Sequence, residues 1–200
     1  FVSQFIASEL SWEEKGLKLI QETRYPEEQH TSFIFECEEP VDLTLQIRYP
    51  YWAEKGIAVK VNGKKIKVSK SPESFVAINR IWKSGDKVEV EFPFSLRLEP
   101  MPDNKDRVAL MYGPLVLAGQ LGSVDDPNAS DPLYVPVLMS NDRNPENWMT
   151  MISDSPNTFK TEGVGRPRDI VFKPFYQTHD CRYSVYFDIF DEKKWAEFQE

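Results

Sequence analysis

The chain is poor in the residues that most often mark a chemical site. Its 200 residues hold two cysteines and two histidines. Cys37 and Cys181 stand at opposite ends of the sequence. That separation is neither a zinc spacing nor a disulfide framework, so two buried thiols are expected, with a single bridge as the alternative. His30 and His179 fall in different regions, and neither has a second histidine at ligand spacing. Basic charge is scarce as well. Lys+Arg number 24 against 32 Asp+Glu, a net charge of -8. A nucleic-acid binder would carry a basic face, so no nucleic-acid partner is expected. No apolar run approaches the roughly 20 residues of a membrane-spanning helix, and no membrane partner is expected either. The glycines form no GxGxxG or P-loop, which leaves no phosphate cradle.

What the sequence does have is alternation. Val41, Leu43, Leu45, Ile47 and Tyr49 are apolar, and Asp42, Thr44, Gln46 and Arg48 between them are polar. That is a half-buried strand. Phe33, Phe35 and Cys37 alternate just before it, with Glu38-Glu39-Pro40 as the turn. Asn62-Gly63 joins two further alternating runs and predicts a hairpin, because both central residues of a type I′ turn need positive φ. The longest alternation runs from Val88 to Leu98 on one parity. Pro93 interrupts the other, which predicts an edge or kinked strand. Arg107–Gly119 is nearly continuous apolar sequence and reads as a central strand interrupted at Gly113-Pro114. The stretch 122–132 (GSVDDPNASDP) is the best linker. Beyond it, 133–138, 170–172 and 182–190 read as strands, 146–152 as a helical turn, and 191–200 as a short helix capped by Asp191. Short strands joined by turn signals argue an all-β protein. We expect a jelly-roll-like β-sandwich over 1–121, then a smaller β-domain over 133–200 with a short C-terminal helix.

Chemistry is harder to place. His179-Asp180 beside Cys181 invites a nucleophile reading, but adjacent strand residues point to opposite faces, so Asp180 would not orient His179. With Arg182 these residues are the best candidates for an independent enzyme. Asp103-Asn104-Lys105-Asp106 resembles half a calcium loop but lacks the glycine and the closing glutamate. The sequon Asn128-Ala129-Ser130 is a chance-level match in a polar linker. The abundant strand carboxylates read as solvated faces. Trp12, Tyr51, Trp52, Trp82 and Trp148 lie in or near turns. Exposed aromatics on a β-sandwich stack on sugars or cover an interface. Trp52, Trp82 and Trp148 are the candidate carbohydrate contacts. Neither a catalytic set nor a cofactor or metal set is expected.

Several stretches together resemble the C-terminal part of glycoside hydrolase family 127. They are Leu43–Lys55 (LTLQIRYPYWAEK), Val59–Lys64 (VKVNGK), Ile78–Val88 (INRIWKSGDKV), Arg97–Asp103 (RLEPMPD) and Asp106–Gly119 (DRVALMYGPLVLAG), the last being the most specific. Pro174–Phe190 resembles the extreme C-terminal segment of the same proteins. The resemblance implies a β-L-arabinofuranosidase-like parent with an (α/α)6 catalytic barrel upstream. There a cysteine serves as nucleophile, a glutamate as acid/base, and further cysteines hold zinc. None of that pattern stands in this sequence, so the resemblance carries over no site residue. The zinc of the family would lie outside it. It implies a non-catalytic accessory module that braces the barrel, with arabinose-containing glycans and oligomer contacts as further partners. The alternative is a carbohydrate-binding module. The start at Phe1, with no basic segment before the apolar Phe1–Ala7, reads as a cut inside a longer protein. Export, to the periplasm or beyond, is expected only by analogy with the family.

Overall fold

The computed structural model describes residues 1–124 and 136–199. Two compact units divide between Phe94 and Ser95.

The first unit holds eight strands: β1 (Ser8–Trp12), β2 (Leu17–Thr23), β3 (His30–Cys37), β4 (Val41–Tyr49), β5 (Ala58–Val61), β6 (Lys64–Ile66), β7 (Ser74–Trp82) and β8 (Lys87–Glu91). Six form one sheet in the order β1-β2-β3-β8-β5-β6, and β4 pairs with β7 in a second. The alternation of the sequence decides which side chains meet between the sheets. Leu45, Ile47 and Tyr49 from β4 and Val76, Ile78 and Trp82 from β7 are buried. From the larger sheet Phe33, Phe35, Val59, Val88 and Val90 are almost wholly buried. Phe35 and Trp82 stack between the sheets, rings 4.0 Å apart and 6° from parallel. The expected Asn62-Gly63 hairpin is present. Both residues have positive φ, 50° and 75°, and Val61 pairs with Lys64 across the turn.

The second unit holds β9 (Leu96–Pro100), β10 (Arg107–Tyr112), β11 (Leu115–Ser123), β12 (Val137–Met139), β13 (Met149–Met151), β14 (Phe159–Thr161), β15 (Gly165–Arg166), β16 (Val171–Pro174), β17 (Cys181–Ser184), β18 (Tyr186–Phe190) and the helix α1 (Glu192–Gln199). Its centre is the β10–β11 hairpin. The two strands pair from Leu110↔Leu117 to Tyr112↔Leu115. Beyond that they part, and the C-terminal chain enters the fork. β17 pairs with β11, and β18 pairs with β10. β16 takes up pairing with β11 as well, and β9 pairs with β10. Phe172, Phe187, Leu110, Leu117, Leu138 and Ile189 are almost wholly buried. The Asp191 carboxylate accepts from the Lys194 N–H at 2.8 Å, the cap that the sequence predicts for α1.

The fold is all-β and sandwich-like, with one short α-helix among the described residues. Three sequence expectations need correction. The alternation from Val88 to Leu98 is two strands, not one. Phe92 and Phe94 both turn into the first unit around Pro93, which has no N–H to donate, and the chain then begins the second unit. The apolar run Arg107–Gly119 is a hairpin rather than one strand, with Gly113-Pro114 as its turn and Gly113 at φ 52°. A boundary near residue 121 falls inside β11, whose pairing with β16 and β17 ties it to the C-terminal strands. Most of the expected linker, with the Asn128 sequon and residues 133–135, lies outside the described residues.

Candidate functional site

The three tryptophans expected to contact carbohydrate are not on the surface. Trp52 is 6% exposed, Trp82 0% and Trp148 5%. Trp82 lies in the sandwich core, its indole N–H donating to the Leu43 carbonyl at 2.8 Å. Trp52 belongs to an aromatic cluster with Tyr25, Phe92 and Phe94. Burial pushes the Tyr25 phenol well above its ordinary range. Trp148 donates its indole N–H to the Asp142 carbonyl at 2.9 Å. The Trp82 and Trp148 indoles each find an internal partner for their one polar atom. A ring that lies next to a turn in sequence is thus compatible with complete burial.

The other candidates also resolve into structural roles. The Cys181 thiol donates to Gln120 Oε1 at 3.0 Å, while His179 and Asp180 are exposed and Asp180 sits at positive φ. Both cysteines are free and half-buried. Asp106, in the half calcium loop, accepts from Lys194 Nζ at 2.5 Å and Arg143 Nη2 at 2.6 Å. Those two cations hold its carboxyl below the usual range. Among the described residues no group of three or more His, Cys, Asp or Glu is placed to hold a metal ion.

Two surface cavities stand out among the described residues, one in each unit. That of the second unit, about 650 Å³, lies beside β9 on an apolar floor of Leu96, Leu98, Val108 and Pro145. Its one carboxylate is that of Asp106, already held by the two cations.

The cavity of the first unit, about 560 Å³, is chemically mixed. It lies where β1 turns into β2, at the edge of the six-stranded sheet. Two cross-strand rows reach it. Trp12, Leu17 and Cys37 form one, and Ser11, Lys18 and Glu36 the other. Trp12 is 40% exposed, unlike the three indoles above. The turn between the strands ends at Gly16, whose φ of 53° suits glycine. The Gly16 carbonyl accepts from the Glu38 N–H at 2.9 Å. The Glu38 side chain then folds over the glycine, so closely that a Cβ there would meet its Oε2 at 2.9 Å. Lys18 bridges Glu9 at 3.0 Å and Glu36 at 3.8 Å, and its pKa is raised by the bond to Glu9. Burial, assisted by Asp86, raises the Cys37 thiol, which therefore stays protonated at neutral pH. Trp12 is one of the turn aromatics of the sequence but not one of the three candidate carbohydrate contacts. The Trp-Glu-Glu-Lys-Gly turn, with its obligate left-handed residue, was the available signal.

Residues 1–94 match the family model described as Beta-L-arabinofuranosidase, GH127 middle domain. The last matched residue is also the last residue of the first compact unit. No match is found among curated proteins. Solved structures match nearly the whole chain. A GH127 beta-L-arabinofuranosidase from Geobacillus stearothermophilus T6 is 18% identical, with a TM-score of 0.67 over 94% of this chain and 33% of its own. A GH127 beta-arabinofuranosidase is 20% identical, with a TM-score of 0.63 over 92% of this chain and 33% of its own. A protein described as a glycoside hydrolase is 20% identical, with a TM-score of 0.63 over 90% of this chain and 34% of its own. The chain thus spans about a third of the length of these relatives. Over residues 1–94 it matches the GH127 middle domain, here an all-β unit, and over most of its length it has the fold of one third of the GH127 structures.

Proposed function

We propose that the chain is the non-catalytic accessory part of a GH127-type glycoside hydrolase, accompanying a separate catalytic domain and bracing it through apolar surface. The observation that carries this reading is the pattern of coverage. The chain matches over nearly all of its own length and over one third of the relatives' length, and the matched family model is a middle domain. The first residues supply a contact surface for it. Phe1 and Ile6 are strongly exposed, whereas Phe5 between them is buried against Phe92. An apolar side chain held open beside a buried one suits a surface covered by a further domain.

Two measurements test the reading. The purified chain should release no arabinose from a β-L-arabinofuranoside, and steady turnover would overturn the proposal. In the longer protein, Ile6→Asp should lower the melting temperature of the catalytic domain while leaving the isolated chain unchanged. An equal effect in both would mean that Ile6 serves only the β-unit itself.

A further inference from the structure

We propose that the cavity beside β9 binds an amphipathic carboxylate, a molecule with one anionic head and an apolar body. The body lies along Leu98 and Leu96, and the head sits at the tip of the β9–β10 hairpin, beside Lys105 and Arg143. The site goes beyond the accessory-module reading and does not depend on it.

Strand alternation puts Leu96, Leu98 and Pro100 on one face of β9. Pro100 pairs with Val108, which therefore shares that face, and Asp106 has the parity of Val108. Arg97 and Glu99 take the opposite face, where they pair with each other and the Arg97 guanidinium donates to the Gly113 carbonyl. Among the described strands β9 pairs with β10 alone, so its other edge is open. The groove has a direction. Its charged groups gather at the hairpin tip, where Lys105 and Asp106 stand and where Arg143 and Lys194 reach Asp106. From there the side chains of β9 on this face are Pro100, Leu98 and Leu96. That run is about 13 Å of strand, enough for a short chain or one ring with its linker. The volume suits a ligand of this size, because small-molecule sites typically occupy about 300–1,000 Å³ and this groove has about 650 Å³.

Charge selects the head. Asp106 is the one carboxylate of the lining, and its lowered pKa keeps it ionised at neutral pH. Against it stand the cations of Lys105, Arg143 and Lys194, which leaves an excess of two positive charges in a chain of net charge -8. Asp103 of the same hairpin connection lies outside the lining, and its charge acts on Arg107. Lys105 has no ion pair among the described residues. Arg143 gives one N–H to Asp106, and a guanidinium has further donors in a plane that matches a carboxylate. The floor selects the body. A neutral polyol would meet leucine, valine and proline with no aromatic ring to stack on, and would leave the cations without a counter-charge. An inorganic anion would leave the apolar floor uncovered. An organic cation would face Lys105 and Arg143. A molecule that joins an anionic head to an apolar body satisfies both ends.

The test is titration of the purified chain with octanoate and 4-phenylbutyrate. Octanamide serves as the neutral isostere, acetate as the head alone, and octylamine as the cation. Binding is read by calorimetry and by the methyl resonances of Leu98 and Val108. The expected result is saturable binding of both amphipathic carboxylates, millimolar or tighter, that moves these resonances and weakens as salt is added. Octanamide should bind about fivefold more weakly, and Lys105→Ala should weaken octanoate by a similar factor, the loss of one exposed charge contact. Leu98→Ser should weaken it about tenfold by removing floor. Lys64→Ala, which removes an exposed cation of the first unit, should leave it unchanged. Melting curves identify a variant that has lost its fold, and Lys105→Ala, at an exposed position of a connection, tests the head without touching the floor. The proposal is overturned if neither carboxylate moves the two resonances at tens of millimolar. It is equally overturned if octanamide or octylamine binds as tightly as octanoate, if acetate does, or if Lys105→Ala binds octanoate as well as the parent chain. Binding of an extended acidic peptide at these resonances, with no binding of octanoate, would also overturn it and mark the open edge of β9 as a strand-pairing site instead.

Discussion

Two glycines, one in each unit, are required for opposite reasons. In the first unit Gly63 occupies the hairpin turn at φ 75°, and a Cβ there would meet nothing within 4 Å. Glycine is required by the backbone and the space is open. In the second unit Gly119 stands inside β11 with no left-handed φ, yet a Cβ there would lie 2.4 Å from Phe187 Cζ and 3.1 Å from Ile170 Cγ2. Here glycine is required by the space. The contrast reflects how the two cores are built. The first is filled by large side chains placed by strand alternation, with Phe35 stacked on Trp82. The second is filled by rings arriving from late strands, Phe172 and Phe187, whose centres lie 5.0 Å apart. Gly119 is the gap into which Phe187 fits.

The largest expected effect comes from emptying the first core. Trp82→Ala removes a ring that is fully buried, stacked on Phe35 and hydrogen-bonded to Leu43. It should destabilise the first unit by about 3–5 kcal/mol. Urea unfolding would show it as a lower midpoint in the transition reported by near-ultraviolet circular dichroism. A loss below about 1 kcal/mol would mean that the facing sheets collapse to close the cavity, contrary to a close-packed core.

Filling the gap in the second unit should cost less. Gly119→Ala forces a methyl group against Phe187 and Ile170, both almost wholly buried. Overpacking of this kind costs about 1–3 kcal/mol. The double variant Gly119→Ala with Phe187→Leu sharpens the point. If the clash with the ring is the cause, the double variant should be less destabilised than the sum of the two single ones. Gly63→Ala, by contrast, meets no atom and should cost only about 1 kcal/mol, for the left-handed backbone. Equal losses at the two positions would break the distinction between conformational and spatial glycine.

That distinction also explains what was legible in the sequence. Local geometry was. The alternation from Val41 to Tyr49 is β4 with the same limits, Asn62-Gly63 is the hairpin turn, and Asp191 caps α1. Each depends on residues within a few positions of one another. Partner choice was not legible. Nothing in the run Arg107–Gly119 says that its strands will part to admit β17 and β18, because a period of two fixes faces but not neighbours. The break after Glu91 was hidden for the same reason: Phe92 and Phe94 continue the alternation while the chain leaves the sheet. The site suffered most. Proximity to a turn suggested exposure for Trp52, Trp82 and Trp148, but exposure is decided by what packs over a ring. Trp12 lies on the edge strand, where the sheet ends, and remains open.

The smallest effect separates the units by pH. In the second unit Asp106 is held by Lys194 and Arg143, and these bonds lower its pKa. A carboxyl with a lowered pKa in the folded state contributes stability above its unfolded value, near 3.9. That contribution is lost as pH falls through the folded value. The pair is partly exposed, so the contribution at neutral pH should be about 1 kcal/mol or less. Asp106→Asn keeps the shape and removes the charge. At neutral pH it should lower the stability of the second unit by that small amount. As pH falls through the lowered folded value the difference from the parent chain should shrink, because the parent then loses the same charge. Parallel urea curves at neutral pH and in this acid range would measure it. A difference that persists unchanged in acid would show that Asp106 acts through its hydrogen-bond geometry rather than its charge. The matching position in the first unit behaves differently. Burial works to raise the pKa of Asp86, and bonds from Asn62 and the Lys83 N–H, with the charge of Arg80, overcome it. Two of those partners are neutral donors, so Asp86→Asn should leave the donors short of an acceptor, and some loss should remain even in acid, where the parent carboxyl can still accept from one of them.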